Sequence, residues 1–505
     1  MLLYNVIIYS MRHQKHYFKL FILIALILVS GVVTLLFTLN QPRYWIKHSL
    51  YIPSHLTSKI TFTDTFSLAK SPRNATHILT PSLNSVDSLL KIKLVIACHP
   101  LLTINDAKFL TVPEYLKEAS LVTDKNNIIS IDSLEGIKKL VMQKSYWAII
   151  PIEYMSPPLK IFNLVDIYYK VTIQKTSWWQ DKFTQEIINN IVIISDDEKQ
   201  VLTTLAFVGD VMLSRRVGLT IKRRGLEYPF LNIREELSKY DLVFGNLESV
   251  ISDQGIRANQ PITFRASPDT VNILKDAGFS IVSLANNHAV DYGKQALLDC
   301  LRILKENSIK AVGAGRNIAE ASSLKYIEVN GIKIGFIAYN LVPPLGLRAT
   351  KYYPGVNYLK YESIAKEIPR LSKMVDLLIV SLHWGVEYQQ VQTKEQEEIA
   401  NELLRSGAHI IIGHHPHVLQ PIYIFNEKNI VAYSLGNFIF DQDFSEETST
   451  GGVLLIQLYG KKVVGLEFKP TYIFNDQLHW ISDQLRIEKI NSVLKFQSLE
   501  NVNTP

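Results

Sequence analysis

Leu205-Ala206-Phe207-Val208-Gly209-Asp210-Val211-Met212 is a short apolar run that ends on a glycine and a carboxylate. Runs of four or five apolar residues closed by Gly or polar residues suit buried strands, so this stretch delivers an acid at a strand end. The pattern recurs. Leu242-Val243-Phe244 leads into Gly245-Asn246-Leu247-Glu248, and Ile281-Val282-Ser283-Leu284 into Asn286-Asn287-His288. Leu377-Leu378-Ile379-Val380 precedes His383-Trp384-Gly385, and Ile410-Ile411-Ile412 precedes His415-Pro416-His417. Helical stretches near 268–277, 294–307, 360–373 and 394–406 separate these runs, an alternation that predicts α/β layers. In such folds ligands gather where strands end. The imidazoles, carboxylates and amides brought there form the mixed N/O set that suits one or two divalent ions, zinc, manganese or iron.

The 505 residues leave room for two or three domains. With 47% hydrophobic and 20% charged residues, no large disordered share is expected. The net charge of +6 is concentrated in residues 1–47, where Arg12, Lys15, Lys19, Arg43 and Lys47 meet no acid. The rest is near neutral, which gives no electrostatic case for nucleic acid as a partner. Cys98 and Cys300 are too few and too far apart for a disulfide framework.

Leu20–Leu39 carries no charged residue and matches the roughly 20 residues of a membrane-spanning helix. Basic residues before it predict a cytoplasmic N-terminus (1–19), a single transmembrane anchor (20–39) and an extracytoplasmic bulk. A cleaved signal peptide has a shorter apolar core and a small-residue cleavage site, which Leu36-Phe37-Thr38-Leu39-Asn40-Gln41-Pro42 lacks. Met11 opens the basic region and is an alternative start. Residues 40–60 read as a stalk, and 60–195 as a smaller α/β domain with strands at 93–97 and 146–150 and a helix at 133–141. Trp147-Ala148-Ile149-Ile150-Pro151 with Ser156-Pro157-Pro158 resembles, weakly, a lobe of a solute-binding-protein-like domain. The polar Ser195-Asp196-Asp197-Glu198-Lys199-Gln200 marks a boundary. The main domain spans 203–475, closing with antiparallel strands at 453–458, 462–468 and 470–473. A tail, 476–505, follows.

Each candidate also has an ordinary structural reading. Two of the neighbouring His414, His415 and His417 are expected as ligands on an extended segment, His415 and His417 pointing to one side; one of the three can instead be a structural hydrogen bonder. His383 reads equally as a core histidine, Asp210 as a helix cap, and Asn246 and Glu248 as a turn and an exposed acid. Asn286 and Asn287 are harder to dismiss, because consecutive buried amides need partners. Arg215, Arg216, Lys222, Arg223 and Arg224 follow the first motif, either as polyanion contacts or as a solvated helix face.

Taken in order, Gly209-Asp210-Val211-Met212-Leu213, Gly245-Asn246-Leu247-Glu248, Ser283-Leu284-Ala285-Asn286-Asn287-His288 with Asp291 and Gly293, His383-Trp384-Gly385-Val386-Glu387, Gly413-His414-His415-Pro416-His417 and Ser434-Leu435-Gly436-Asn437-Phe438 resemble the CapA family of bacterial capsule (poly-γ-glutamate) synthesis proteins. That family is similar to calcineurin-like metallophosphoesterases. The resemblance implies a four-layer α-β-β-α metallophosphatase-like sandwich over 203–475. It implies one metal on Asp210 and His417, a second on Asn287, His383 and His415, and Glu248 beside both. His288 would be the general acid and Asp291 its orienting partner, with Asn246, Asn286, Glu387 and Asn437 as substrate contacts. Two positions depart from the phosphoesterase pattern: Met212 stands where a histidine ligand belongs, and Glu248 is one methylene longer than the usual aspartate. The implied activity is a metal-dependent hydrolase or transferase acting on poly-γ-glutamate or a related anionic polymer, beside the membrane and polymer-synthase subunits. A surface phosphoesterase, or a non-catalytic export and assembly factor, is the alternative.

Overall fold

Parallel strands must be joined by crossovers of a dozen or more residues, and the C-terminal half supplies these as amphipathic helices. The computed structural model describes residues 201–425 and 429–482 without a gap. Outside these it describes strands and single residues between 50 and 173, and Gln497–Ser498. The chain divides into two compact units, one of residues 1–155 and 161–200, the other of 156–160 and 201–505. The expected anchor at 20–39 and the helix at 133–141, apart from Ser133 and Ile137, lie outside the described residues. Among the described residues no helix is long and apolar enough to cross a membrane.

In the first unit seven strands form one sheet, in the order Leu50–Tyr51, His77–Ser82, Lys160–Ile173, Leu90–Cys98, Tyr146–Pro151, Lys108–Thr111, Ile128–Ser130. The strands expected at 93–97 and 146–150 are the fourth and fifth in this order, paired antiparallel with each other beyond Lys160–Ile173.

The second unit begins with β1 (Leu202–Val211), then α1 (Arg215–Arg224), β2 (Leu242–Leu247), α2 (Val271–Asp276), β3 (Phe279–Ser283), α3 (Gly293–Glu306) and β4 (Lys310–Val312). β1 to β4 are parallel neighbours in chain order. The chain then builds a second sheet from β5 (Lys325–Val329), β6 (Ile332–Asn340), α4 (Ile364–Ser372), β7 (Leu377–His383), α5 (Lys394–Arg405), β8 (Ile410–His414), β9 (Ile422–Ile424) and β10 (Ile430–Ala432). β6, β7, β8 and β10 are parallel there. The chain finally returns to the first sheet with β11 (Asn437–Ile439), β12 (Thr450–Tyr459), β13 (Lys462–Phe474) and β14 (Gln477–Trp480). β11 pairs parallel with the far end of β1 and β12 antiparallel with the rest of it. The strands expected at 462–468 and 470–473 are one continuous strand, β13, and the sheet runs past 475 to β14.

Local sequence explains the helices. In α5 Thr393 and Gln396 form a reciprocal capping box, and Gln396, Ile399, Ala400 and Leu403 face inward at helical spacing. Replacing such a cap costs about 1 kcal/mol.

Strand alternation fixes the layers. Ala206, Val208, Val243 and Val282 share one core with the inner faces of α1, α2 and α3. Ile337, Tyr339, Leu378, Val380 and Ile411 share another with α4 and α5. The opposite faces meet between the sheets, where Phe244 stacks on Phe336 with ring centroids 5.2 Å apart. The order is helices, sheet, sheet, helices.

Candidate metal centre

Parallel strands end at the same edge of a sheet, and register places the candidates there. Asp210 is opposite Asn246 and Asn246 opposite Ser283 in the first sheet; His383 is opposite His414 in the second. Strand alternation alone would turn Asp210 away from the second sheet, since Ala206 and Val208 face the helices. Between Phe207 and Asp210, however, β1 has one residue more than β2. This bulge moves Asp210 to the face of Phe244 and Asn246, between the sheets. Gly209 sits in it, where a Cβ would overlap the carbonyl of Gly436.

Asp210 is fully buried. Its Oδ2 accepts from the backbone N–H of His415 at 3.1 Å, and His414 Nδ1 lies 3.3 Å from Oδ1. His417 Nδ1 is 3.4 Å from Oδ2, and its Nε2 is 3.7 Å from Glu248 Oε1. Asp210, Glu248 and His417 present ligand atoms within 4.8 Å of one another, as do Glu387, His415 and His417. Asn287 Oδ1 lies 2.8 Å from His383 Nε2, and the His383 and His415 rings are 4.8 Å apart. The ligand candidates therefore come together. His414, left open above as a structural histidine, lies among them.

Three expected substrate contacts are corrected. Asn246, Asn286 and Asn437 are fully buried and their amides are committed. Asn246 Nδ2 donates to Asp210 at 2.8 Å and Glu248 at 3.1 Å, and its Oδ1 accepts from Asn286 at 3.0 Å. Asn286 also donates to the Leu247 carbonyl and accepts from the His288 N–H. Asn437 Oδ1 meets His417 Nδ1 at 2.9 Å, placed there because β11 pairs Asn437 with Asp210. These amides hydrogen-bond to the candidate ligands Asp210, Glu248 and His417 or to one another. Glu387 alone of the four is exposed. A second correction concerns His415-Pro416-His417, which is not extended: φ is +97° at His415 and +59° at His417. The turn, not strand geometry, brings the two rings to 5.9 Å.

Met212 is buried among apolar neighbours, and its sulfur accepts from the Ser214 hydroxyl at 2.9 Å. His288 keeps a slight opening to solvent. Asp291 Oδ2 accepts from His288 Nδ1 at 2.8 Å while also taking the Phe264 N–H, and the other oxygen of Asp291 takes Gln260. This fixes the tautomer and aims Nε2 toward Glu248, 4.0 Å away.

Electrostatics sort the histidines. Burial and the neighbouring imidazoles hold His383 well below its usual range, and burial with His417 takes His415 down to about 3. Both are neutral with lone pairs available. Burial opposes charge on His417, but Glu248 and Asp210 raise it to about 9. Burial and the Asp210 charge raise Glu248 well above the usual carboxylate range, against the opposing pull of His417. Asp210 stays ionised, its burial outweighed by His414 and His417.

The residues fit a divalent cation by a test internal to the structure. Buried polar atoms are almost always paired. Glu248 Oε1, His415 Nδ1 and both nitrogens of His414 are buried with no hydrogen-bond partner. Carboxylate and imidazole atoms with no hydrogen bond, gathered beside Asp210 and His417, form a borderline-metal donor set. Beside them lies a pocket of about 510 Å³ whose lining includes Asn287, Trp384, Glu387 and His415.

Comparison with known proteins follows the same residues. The family described as "Bacterial capsule synthesis protein PGA_cap" matches residues 204–442. A "PGA biosynthesis protein CapA" from Bacillus subtilis (strain 168) is 35% identical over 271 residues, 53% of this chain and 69% of that protein. A "Capsule biosynthesis protein CapA" from Bacillus anthracis is 35% identical over 264 residues; the match spans 51% of this chain and 63% of the relative's length. Among solved structures, a calcineurin-like phosphoesterase YfkN from Bacillus subtilis shares 16% identity at a TM-score of 0.33, covering 58% of this chain and 96% of that one.

Proposed function

The chain belongs to the CapA-type bacterial capsule synthesis protein family, and from that premise we propose that it is a metal-dependent hydrolase or transferase acting on poly-γ-glutamate or a related anionic polymer. The names of its relatives, capsule and PGA biosynthesis proteins, support the substrate class. The observation that carries the chemistry is the His288–Asp291 pair, aimed at a cluster of unpaired buried ligands. Binding alone needs no oriented proton donor.

Asp210, Glu248 and His417 would hold one ion, and Asn287, His383 and His415 a second, with the buried amides fixing their directions. A bound divalent ion supplies Lewis-acid activation of water and of the carbonyl or phosphoryl oxygen under attack. Asp291 keeps the proton on His288 Nδ1, so Nε2 is the nitrogen that exchanges a proton with the leaving group. For an amide, water or a chain-end amine adds to the carbonyl carbon and gives up a proton to Nε2, the C–N bond breaks, and Nε2 passes that proton to the leaving nitrogen. The apolar run at 20–39, with Arg12, Lys15 and Lys19 before it, supports a single-pass anchor and an extracytoplasmic bulk. The layered order and strand-end site are those of a metallophosphatase-like domain. Met212, its sulfur tied to Ser214, supports a first site that draws no ligand from this position.

Metal analysis of the full-length protein in detergent, beside His383→Ala/His415→Ala, tests this. One or two equivalents of zinc, manganese or iron, lost in the variant, with turnover of γ-glutamyl amides or phosphoesters, are expected. A wild type that takes up no metal on reconstitution would leave a non-catalytic polymer-binding or assembly factor.

A further inference from the structure

Eight non-glycine residues among those described have positive φ. Ser308, Asn330, Asn475 and Asp476 occupy turns, where such conformations are ordinary. His415, His417 and Tyr388 surround the metal centre; Tyr388 N–H donates to the Pro416 carbonyl, and its ring lies 6.3 Å from His417. The eighth is Arg215, φ +51°, directly after the Asp210 motif. A left-handed arginine is strained, and strain of this kind persists where surroundings enforce it, often at functional sites.

The surroundings enforce it here. Asp441, nearly buried, holds Arg215 Nε at 3.0 Å. The guanidinium lies over Phe264, 5.4 Å from the ring centroid, and Phe264 packs on the His288 ring at 4.1 Å. Phe440, next to Asp441 in the chain, touches both Phe264 and His417. Arg215 is thus one aromatic ring away from the proton donor and tied to the segment that carries Asn437.

Its neighbour shows the contrast. Arg216 is locked by Asp443 at Nη2, 2.7 Å, and by Asp476 at Nε, 2.9 Å. Arg215 engages only Nε; its two terminal nitrogens meet no acceptor among the described residues, and the side chain is 43% exposed. A guanidinium held by Nε presents a planar fork suited to bidentate recognition of a carboxylate or phosphate.

We infer that Arg215 is the anion-recognition residue of this site, its fork binding a free carboxylate of the polymer next to the bond that faces His288. This rests on the function proposed above and adds its specificity determinant. The same fork fits a phosphate, so the experiment distinguishes the two sources.

The test is equilibrium binding to full-length, metal-loaded protein, with a γ-linked glutamate pentamer, its α-amide analogue and inorganic phosphate as competitor. Wild type is expected to prefer the free acid by roughly 10- to 100-fold, the worth of a charge-assisted pair. Arg215→Gln should abolish that preference, and Arg215→Lys, a charge without a fork, should keep part of it and guards against a Gln variant that misfolds. Metal content and near-UV circular dichroism check each variant. Arg223→Gln, an exposed charge in the last turn of the same helix, should leave the preference intact. The inference is overturned if folded Arg215→Gln still prefers the free acid while wild type binds it, or if Arg223→Gln loses as much. Phosphate that displaces the pentamer from wild type but not from Arg215→Gln, where wild type binds the acid and the amide pentamers alike, reassigns the fork to phosphate and overturns the carboxylate. A wild type that binds neither pentamer removes the proposed function and this inference with it.

Discussion

Asn246 is the amide on which the site's geometry turns, and replacing it gives the sharpest test of that geometry. Its Nδ2 donates to both Asp210, at 2.8 Å, and Glu248, at 3.1 Å. Asp210 has other donors, including the His415 N–H. Glu248 is less well served: its Oε1 already has no hydrogen-bond partner, and Asn246 is the donor to Oε2. Hydrogen bonds to charged groups contribute about 1.5–3 kcal/mol each, so Asn246→Ala forfeits about 3–6 kcal/mol before relaxation. Glu248, already raised by burial and Asp210, can take a proton instead, which puts the expected loss near the lower end, about 3 kcal/mol. Metal affinity should fall roughly 10- to 100-fold, as for other partners that orient ligands. Asn246→Asp keeps the shape but cannot donate and adds a third carboxylate. It should destabilise the metal-free protein more than Ala does and recover more on metal addition. Urea unfolding followed by tryptophan fluorescence, with and without metal, and competition with a chromophoric chelator would measure both. Asn246→Ala within about 0.5 kcal/mol of wild type, the range of an inert surface change, with unchanged metal affinity, would refute the account.

His417, raised to about 9, must give up a proton to become a ligand, so metal binding should release protons and tighten up to about tenfold per pH unit below that value; calorimetry in buffers of different ionisation heat would show it. The raised value also works on the metal-free fold: its contribution is complete below the unfolded value of about 6.5 and is lost as pH climbs through about 9, so unfolding midpoints should fall over that window. His288→Gln should lower turnover by about 10²- to 10⁴-fold with metal content unchanged; a variant as active as wild type would deny it the proton. Phe244→Ala removes the ring stacked on Phe336 between the sheets and should cost about 3–5 kcal/mol, read by chemical denaturation.

Much of the fold is written in local patterns. Apolar runs at 205–208, 242–244, 281–284, 377–380 and 410–412 are strands, and helices fall where amphipathic spacing puts them. The clustering of Asp210, Glu248, Asn287, His383, His415 and His417 follows from parallel strands sharing an edge. What the sequence hides is geometry without a residue-type signature. The extra residue in β1 that turns Asp210 inward is invisible in composition, although Gly209 marks its place. The left-handed His415 and His417 defy a reading based on extended chain, because proximity of the turn to Tyr388 and Asp210 decides their backbone. Asn246, Asn286 and Asn437 look like surface polar groups at strand ends, and only the meeting of two sheets buries them. His414 went unassigned because three adjacent histidines cannot be ranked until β8 sets which one faces Asp210. Whether an arginine meets one acid, as Arg215 does, or two, as Arg216 does, depends on residues more than two hundred positions away.

The return of the chain to its first sheet has a consequence for biogenesis. β1 opens its sheet, yet its flank stays open until β12 arrives, and Asp210, paired with Asn246 on one side, lacks its second strand partner until β11 pairs beside it. His415 reaches Asp210 across 205 positions of sequence. Contacts so distant along the chain form late and slowly. A nascent or truncated polypeptide ending before 437 would carry all six candidate ligands but lack the strands that complete the sheet around Asp210. Tight ion binding at this site is therefore expected only of chains that extend past β11.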